Sequence, residues 1–205
     1  MVDPSSCACC WNRMVAPCPG QVHVLYRDHG VRDMALASTN DTGEHWELTS
    51  PVGEFNGEFP GCPHAGGGIA VTQQSGVDQL HALVWTDYEE RHGLYWVRST
   101  DGGDSWGEPK SMGGELARHA DPGASGRTLV AAWDESRGIW ISASHIQGES
   151  WSNPRRLSMH DAVASHSIVI HTGDDSLMFW IELGVSGQRQ WKSHQLGTAD
   201  HQAEG

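Results

Sequence analysis

Basic residues are scarce in this 205-residue sequence. Lys and Arg number 13 against 26 Asp and Glu, which gives a net charge of −13 with neutral histidines. Such a chain repels nucleic acid and anionic lipid surfaces, because binding to phosphates requires a basic face. Apolar runs long enough to cross a bilayer are also missing. We therefore expect no nucleic-acid partner and no membrane span, and cations, neutral sugars or basic proteins remain as ligands.

The N-terminal segment carries no recognisable secretory signal. Its first ten residues, MVDPSSCACC, lack a basic region followed by an apolar stretch. The sequence thus predicts either a cytosolic protein or the mature or truncated form of an exported one.

Tyr and Phe are rare, at three residues each, whereas Trp numbers ten and Gly 25. Many Gly and many Trp together indicate tight turns between short strands that pack on large flat rings. The 13 histidines are scattered rather than grouped in tracts. They could add metal affinity or pH sensitivity without forming a recognisable motif.

An eight-residue motif, S/T-x-D-x-G-x-x-W, occurs at residues 39–46 and again at 99–106. An eroded copy at 144–151 keeps Ser, Gly and Trp but has Ile146 at the acid position. The Asp can accept backbone N–H groups of its turn, the Gly can take a positive φ, and the Trp ring can pack beside the next strand. The residues with these roles are Asp41, Gly43, Trp46, Asp101, Gly103, Trp106, Gly148 and Trp151.

A second repeat places an aromatic ring at the end of an apolar strand and an acid two positions later. The four pairs are Tyr26 and Asp28, Trp85 and Asp87, Trp133 and Glu135, and Trp180 and Glu182. The rings lie 59, 48 and 47 residues apart, and a turn and another strand follow each acid. That period is typical of four-stranded propeller blades, each of which needs its neighbours to cover its faces.

The two repeats predict an all-β fold, a β-propeller of four-stranded antiparallel blades with about four blades in this chain. We place the blades at about 11–58, 63–113, 116–158 and 159–194, after a Cys-rich segment at 1–10 and before a polar tail at 195–205. Strands are expected at about 22–28, 31–38, 81–86, 94–99, 128–133, 138–143, 176–181 and 188–193. An all-β sandwich with coincidental turns is the alternative, since regular strand spacing allows it.

The eight-residue motif resembles the Asp-box (BNR repeat) of sialidases and related β-propellers. In those proteins the Asp-boxes lie on outer turns, away from the substrate face. The resemblance therefore implies an architecture and not an active site.

A longer series of motifs resembles a bacterial group of exported, sialidase-like Asp-box proteins. The series is Cys7-Ala8-Cys9-Cys10, Tyr26-Arg27, Arg32-Asp33, the first Asp-box, Gly61-Cys62-Pro63 and Gly66-Gly67-Gly68. The resemblance implies a periplasmic or otherwise secreted protein, in which disulfides are expected. Members commonly carry further blades before the cysteines, so it also implies the C-terminal part of a larger propeller or a short relative.

Sialidase chemistry uses three Arg that hold a carboxylate, a Tyr nucleophile assisted by Glu, and an Asp as acid and base. The R-I-P motif that usually carries the first Arg is absent. The remaining catalytic candidates are Tyr26, Arg27, Arg32 and Asp33, with Arg98, Tyr88 and Tyr95 as further Arg and Tyr candidates. The alternative for the Arg-Asp pairs is a set of solvated ion pairs at the rim.

Five cysteines occur, three of them in Cys7-Ala8-Cys9-Cys10. Trp11 follows this segment where covalent haem attachment requires His. Two alternatives remain. One is a disulfide from Cys62 to an N-terminal cysteine, which staples blade one to blade two. The other is a Cu(I) or Zn site with the ligands Cys7, Cys9, Cys10, Cys62 and His64.

Both alternatives predict that Cys62 approaches the N-terminal cysteines, while Cys18 stands apart in the following turn.

Three function classes stay open. The first is a non-catalytic propeller that binds a glycan or a protein. The second is an exo-sialidase-like glycoside hydrolase, which rests on fold analogy. The third is an exported protein that handles copper or zinc.

Overall fold

The computed structural model describes residues 1–49, 51–57, 59, 63–172, 175–184 and 186–196. These residues form fifteen β-strands and one short 3-10 helix, Glu89–Arg91. Two compact units divide the chain, Met1–Met112 and Gly113–Gly205. Within the described part of the chain, no helix has the length and apolarity needed to cross a membrane.

The first unit contains two four-stranded antiparallel sheets, in which each strand pairs with the next one along the chain. Blade 1 consists of β1 (Arg13–Val15), β2 (Val22–Arg27), β3 (Met34–Thr39) and β4 (Glu47–Thr49). Blade 2 consists of β5 (Gly68–Gln74), β6 (Val77–Thr86), β7 (Gly93–Ser99) and β8 (Lys110–Met112).

The second unit repeats this pattern. Blade 3 consists of β9 (Arg118–Ser125), β10 (Thr128–Glu135), β11 (Gly138–Ser144) and β12 (Arg155–Arg156). Blade 4 consists of β13 (Val163–Thr172), β14 (Asp175–Leu183) and β15 (Arg189–Leu196), three strands within the described residues.

The prediction of an all-β chain of antiparallel propeller blades is confirmed. The aromatic–acid repeat marks the hairpins β2–β3, β6–β7, β10–β11 and β14–β15, and the 3-10 helix lies outside every predicted strand window. Strand β3 begins at Met34 rather than at 31, because Arg32 has a φ of 61° and the Asp28 N–H bonds to the Asp33 carbonyl. Strand β15 continues to the buried Leu196, two residues into the segment expected to be tail. Residues 197–205 lie outside the described part.

The repeat has a physical basis in the second unit. The indole N–H of Trp133 donates to the Glu135 carboxylate at 2.9 Å, and that of Trp180 reaches Glu182 at 3.4 Å. A buried indole needs a hydrogen-bond acceptor. An acid two positions later on the same face of the strand supplies it.

The core of the first unit is shared by its two sheets. Leu25 and Leu36 of blade 1 are fully buried with Leu80 and Val84 of blade 2 in one apolar cluster. Burying each such side chain stabilises the fold by about 1.5–3 kcal/mol. Gly67 lies at a close contact between the blades, since a Cβ there would stand 2.7 Å from the Leu83 carbonyl and 2.9 Å from Leu25.

Blades 3 and 4 share a core in the same manner. Val130 and Ile141 of blade 3 pack in one cluster with Met178 and Trp180 of blade 4. The buried Asp121 side chain on β9 accepts the backbone N–H of Val169 on β13 at 2.9 Å. Blades 3 and 4 are therefore tied by polar as well as apolar contacts.

Candidate functional site

The two full eight-residue motifs form turns between the third and fourth strands of blades 1 and 2. In the first, the Thr39 hydroxyl donates to Asp41 at 2.8 Å and accepts the Gly43 N–H at 3.1 Å. The Asp41 carboxylate then accepts the His45 N–H at 2.9 Å, and the Trp46 indole donates to the Gly43 carbonyl at 3.1 Å. The turn is thus closed by its own side chains.

The second motif makes the same hydroxyl and carboxylate contacts. Ser99 donates to Asp101 at 2.7 Å and accepts the Gly103 N–H at 2.8 Å, while Asp101 accepts the Ser105 N–H at 2.9 Å. Gly103 has a φ of 107°, and a Cβ on it would lie 2.4 Å from Leu36 of blade 1. This glycine serves both the turn and the packing between blades.

The eroded third motif keeps half of this clasp. The Ser144 hydroxyl still accepts the Gly148 N–H at 2.9 Å, and Gly148 has a φ of 84°. Only the contribution of the missing carboxylate is lost at Ile146. This copy is therefore closed by its hydroxyl half alone.

Hydrogen bonds hold the two motif carboxylates in their charged form. The backbone and imidazole of His45, followed by the Thr39 hydroxyl, lower the pKa of Asp41. The Ser105 hydroxyl is the largest cause of the pKa of Asp101 falling to about 2. Both carboxylates are engaged within their own turns, which supports a structural role.

Arg27, a catalytic candidate, is buried with 3% of its surface exposed. Its guanidinium donates to the carbonyls of Ala65 at 3.0 Å and Trp85 at 2.9 Å, and also to the Arg32 carbonyl. It also lies over the Trp85 ring, 5.9 Å from the centroid. Burial lowers its pKa, and nearby charges oppose that shift. The alternative of a solvated rim ion pair is wrong for Arg27, which bridges blades 1 and 2.

The other three main catalytic candidates, Tyr26, Asp33 and Arg32, also form hydrogen bonds to neighbouring groups of the protein. The buried Tyr26 hydroxyl donates to Asp3, and burial followed by this bond raises the pKa of Tyr26. The buried Asp33 carboxylate accepts the backbone N–H groups of Asn56 and Gly57 at 2.8 and 3.0 Å.

Arg32, half-buried, donates to the Cys7 sulfur at 3.4 Å. Of the further candidates, Tyr95 packs on Phe55 with ring centroids 5.1 Å apart. The Arg98 guanidinium donates to Gln79 at 3.0 Å. Tyr88 is exposed beyond the end of β6.

The sulfur atoms of Cys7, Cys9 and Cys10 lie close together in the segment that precedes β1. The Cys7 sulfur lies 3.4 Å from that of Cys9 and 3.6 Å from that of Cys10. Cys7 and Cys10 are buried free thiols, whereas Cys9 is disulfide-bonded. Cys62 lies outside the described residues, so the expected approach of Cys62 to this cluster stays a prediction. His64 is exposed.

The two free thiols of the cluster differ in acidity. Burial opposes ionisation of Cys7, but the Cys9 and Cys10 backbone N–H groups, the Cys10 thiol and the Arg32 charge together lower its pKa. Burial and the hydrogen bond to Cys7 raise the pKa of Cys10. Of these two thiols, Cys7 is therefore the one that forms a thiolate more readily. Cys18 is an exposed free thiol bonded to Gln21 at 3.1 Å.

A cavity of about 810 Å³ lies beside the β14–β15 hairpin in the second unit. Its polar lining includes Glu182, Gln190 and Lys192, and its apolar lining includes Met159 and Leu183. Such a mixture of amides, charges and apolar atoms suits a small polar ligand. Sequence reasoning missed this cavity, because nothing marks Gln and Lys on an exposed hairpin as a ligand surface.

Sequence reasoning also missed a cluster of His119, Asp134 and His166 in the second unit, whose ligand atoms lie within 4.8 Å of one another. The two histidines are 47 positions apart and belong to no motif. Their scatter along the chain hid their proximity in the fold.

No family model and no curated protein matches this chain. Solved structures do resemble it. A mutant of the NanB sialidase from Streptococcus pneumoniae has a TM-score of 0.57 and 11% identity over 87% of this chain. The α-L-arabinofuranosidase Arb93A from Fusarium graminearum has a TM-score of 0.63 and 11% identity over 98%. The Aleuria aurantia lectin, in complex with α-methyl-L-fucoside, has a TM-score of 0.56 and 12% identity over 88%.

These likenesses concern the fold. The chain spans 29% of the NanB chain, 59% of the lectin chain and 68% of the arabinofuranosidase chain. At such low identity a shared fold carries no residue roles. The blades described above therefore have the β-propeller fold found in sialidases, other propeller glycosidases and lectins.

Proposed function

We propose that this protein is a non-catalytic, sialidase-like Asp-box propeller that binds a carbohydrate. The observation that supports the non-catalytic part is the burial of Arg27, whose three guanidinium nitrogens each donate to a backbone carbonyl. An Arg that holds a substrate carboxylate must present those donors to an open site. Tyr26 and Asp33 are likewise committed to Asp3 and to backbone N–H groups.

The carbohydrate part rests on the cavity beside the β14–β15 hairpin. Glu182, Gln190 and Lys192 supply acceptors and donors for sugar hydroxyls, and Leu183 offers apolar surface for a sugar ring. The net charge of −13 favours a neutral glycan over an acidic one. A lectin among the structural neighbours is consistent with this ligand class.

Glycan-array binding together with turnover assays tests the proposal. We expect binding to neutral glycans that falls in Gln190→Ala and Lys192→Ala, and no turnover of aryl sialosides or arabinofuranosides. Arg189→Ala is the matched control, because Arg189 is an exposed cation on the same strand outside the cavity lining. Robust hydrolysis that Tyr26→Phe abolishes would refute the non-catalytic part, and glycan binding unaffected by the cavity variants would refute the site.

A second candidate function, copper or zinc handling outside the cytoplasm, is favoured by the sulfur cluster. Soft thiolates bind Cu(I) and Zn, and Cys7 is inclined to ionise. The competing use of these residues is a disulfide between Cys9 and Cys62, which fits a periplasmic or extracellular location. A Cu(I) competition assay on reduced protein separates them. A metal site predicts loss of binding in Cys7→Ser and Cys10→Ser but not in Cys18→Ser.

A further inference from the structure

Two histidines from the first strands of blades 3 and 4 meet a carboxylate from β10, the second strand of blade 3. The Nδ1 atom of His119 lies 2.8 Å from Oδ2 of Asp134. The rings of His119 and His166 stack with centroids 4.9 Å apart and an angle of 18° between their planes. One ligand atom from each of the three residues falls within 4.8 Å of the other two.

The backbone brings both histidines to this point by the same device. His119 has a φ of 53° and His166 a φ of 60°, values that residues with a Cβ seldom adopt. The β9–β10 register shifts between Ala132 and Asp134, opposite His119, and the β13–β14 register shifts between Ser165 and Ile168, around His166. Such bulges redirect a side chain that would otherwise follow the strand alternation.

The carboxylate of the cluster is held rigidly. Asp134 is buried with 8% of its surface exposed, and its two oxygens accept the backbone N–H of His166 at 2.9 and 3.1 Å. One residue of blade 3 thus fixes the backbone of one histidine and the ring of the other. The His119 side chain is 20% exposed and His166 is exposed, so the cluster opens to solvent on the side of His166.

Two imidazoles and one carboxylate form a donor set with a definite metal preference. Imidazole nitrogen suits Zn²⁺, Co²⁺, Ni²⁺ and Cu²⁺, whereas Ca²⁺ and Mg²⁺ favour sites made of oxygen alone. Three protein ligands with a solvent-open side leave a position for water or an exogenous ligand, as in zinc sites that keep an open coordination position. An ion bound between His119 and Asp134 would replace the hydrogen bond that now joins them.

We propose that His119, Asp134 and His166 form a divalent transition-metal site, with Zn²⁺ as the ion that fits its donors. The three residues belong to the second unit, whereas the cysteine cluster belongs to the first, and the two differ in ligand chemistry. It is also independent of the proposed glycan cavity, whose lining contains none of the three residues.

Calorimetric titration of the full chain with Zn²⁺ tests the proposal. The titrations use a Cys7→Ser, Cys10→Ser, Cys18→Ser background to remove the free thiols. We expect one equivalent of Zn²⁺ to bind, and we expect His119→Ala and His166→Ala each to weaken binding by about tenfold or more. His160→Ala is the matched control, since His160 is an exposed histidine of the same unit outside the cluster.

Co²⁺ absorption provides a second readout. Coordination by nitrogen and oxygen gives weak visible bands without the intense near-ultraviolet transition of a thiolate complex. Asp134→Asn retains an acceptor for the His166 N–H, so its loss of Co²⁺ binding would not reflect unfolding alone. Thermal melts with and without Zn²⁺ test the variants whose stability is reduced. A bound ion raises the melting temperature only of a protein that retains the site, so the shift on adding Zn²⁺ can be compared among variants of different stability. Equal affinity in the His119→Ala, His166→Ala and His160→Ala proteins would overturn the proposal.

Discussion

The guanidinium of Arg27, at the end of β2, donates a hydrogen bond to the backbone carbonyl of Trp85, near the end of β6, at 2.9 Å. The same side chain bonds to Ala65 and Arg32 and lies over the Trp85 ring. A charge is thereby buried where the second strands of two successive blades end. Its solvation is replaced by three carbonyl dipoles and a π face, the kind of compensation that a buried cation requires.

We predict that Arg27→Ala lowers the free energy of unfolding by about 3 kcal/mol, because three backbone carbonyls, two of them in buried contacts, lose their donor. Arg27→Lys should recover only part of this loss, since an ammonium group cannot reproduce the planar fork. Urea denaturation measures both values. Arg91→Ala, which changes an exposed Arg in the 3-10 helix, is the control and should be close to neutral. A wild-type midpoint in Arg27→Ala would contradict the bridging role.

Replacing each turn-motif glycine by Ala should lower stability by an amount that depends on which atoms the added Cβ contacts. Gly103→Ala should cost about 2 kcal/mol or more, because its Cβ would collide with Leu36 in addition to requiring a positive φ. Gly43→Ala should cost about 1 kcal/mol, since its Cβ meets Trp46 at an ordinary 3.6 Å.

Gly148→Ala should resemble Gly43→Ala, because φ is 84° at one position and 89° at the other. The missing acid at Ile146 alone would favour tolerance of Ala at Gly148, but the Ser144 hydroxyl still binds the Gly148 N–H and keeps this turn closed. Denaturant melts of the three variants give the ranking. A Gly103→Ala protein as stable as Gly43→Ala would show that Leu36 can move aside.

His81 should make the first unit sensitive to acid. Burial, reinforced by the charge of Arg98, lowers its pKa to about 3 from an ordinary 6.5, and its Nε2 pairs with the Thr72 hydroxyl at 2.9 Å. Because the unfolded chain binds this proton first, stability is complete above pH 6.5 and is lost as the pH falls from 6.5 towards 3. The loss is at most about 1.4 kcal/mol per pH unit.

Melts of His81→Gln across this pH range test the assignment. Gln keeps a polar group beside Thr72 but does not titrate, so the slope of stability against pH should become shallower. His145→Gln, at an exposed position, should leave the slope as it is. If His81→Gln retains the full wild-type slope, another group is responsible.

Asp101 should add a smaller acid effect at lower pH. Its folded pKa of about 2 lies below the ordinary 3.8, so its contribution is present above about pH 4 and is lost as the pH falls to 2. The carboxylate is exposed, so solvent screening keeps this contribution below about 1 kcal/mol. Asp101→Asn should flatten stability in this range, whereas Asp104→Asn, a neighbouring exposed acid without these bonds, should not.

The cysteines offer a test of the staple. Cys9→Ser should lower stability by about 2–4 kcal/mol if Cys9 is cross-linked to Cys62 in oxidised protein, since the closed loop restricts the unfolded chain. Cys18→Ser should be neutral. Peptide mapping without reductant identifies the partner of Cys9 directly, and a linear Cys9 peptide would contradict the staple.

Much of the architecture was predictable because its determinants are local. Trp133 and Glu135 are two residues apart, and so are Trp180 and Glu182, so their hydrogen bonds recur wherever the pattern recurs. Each turn motif is closed by contacts within eight residues, so the roles of Asp101 and Gly103 could be predicted from the sequence alone. The candidate site was much less predictable.

The sequence by itself determined the blades, because strand alternation, glycine turns and short-range clasps act between near neighbours along the chain. Only the tertiary structure decided what the polar residues do. Arg27 resembles a rim or substrate-binding Arg in sequence, yet the approach of Ala65 and Trp85 makes it a buried bridge. His119 and His166 meet at Asp134 because two bulges in packed strands redirect them across 47 residues of chain. Contacts of that range depend on how blades stack, and stacking is set by packing that no local pattern encodes.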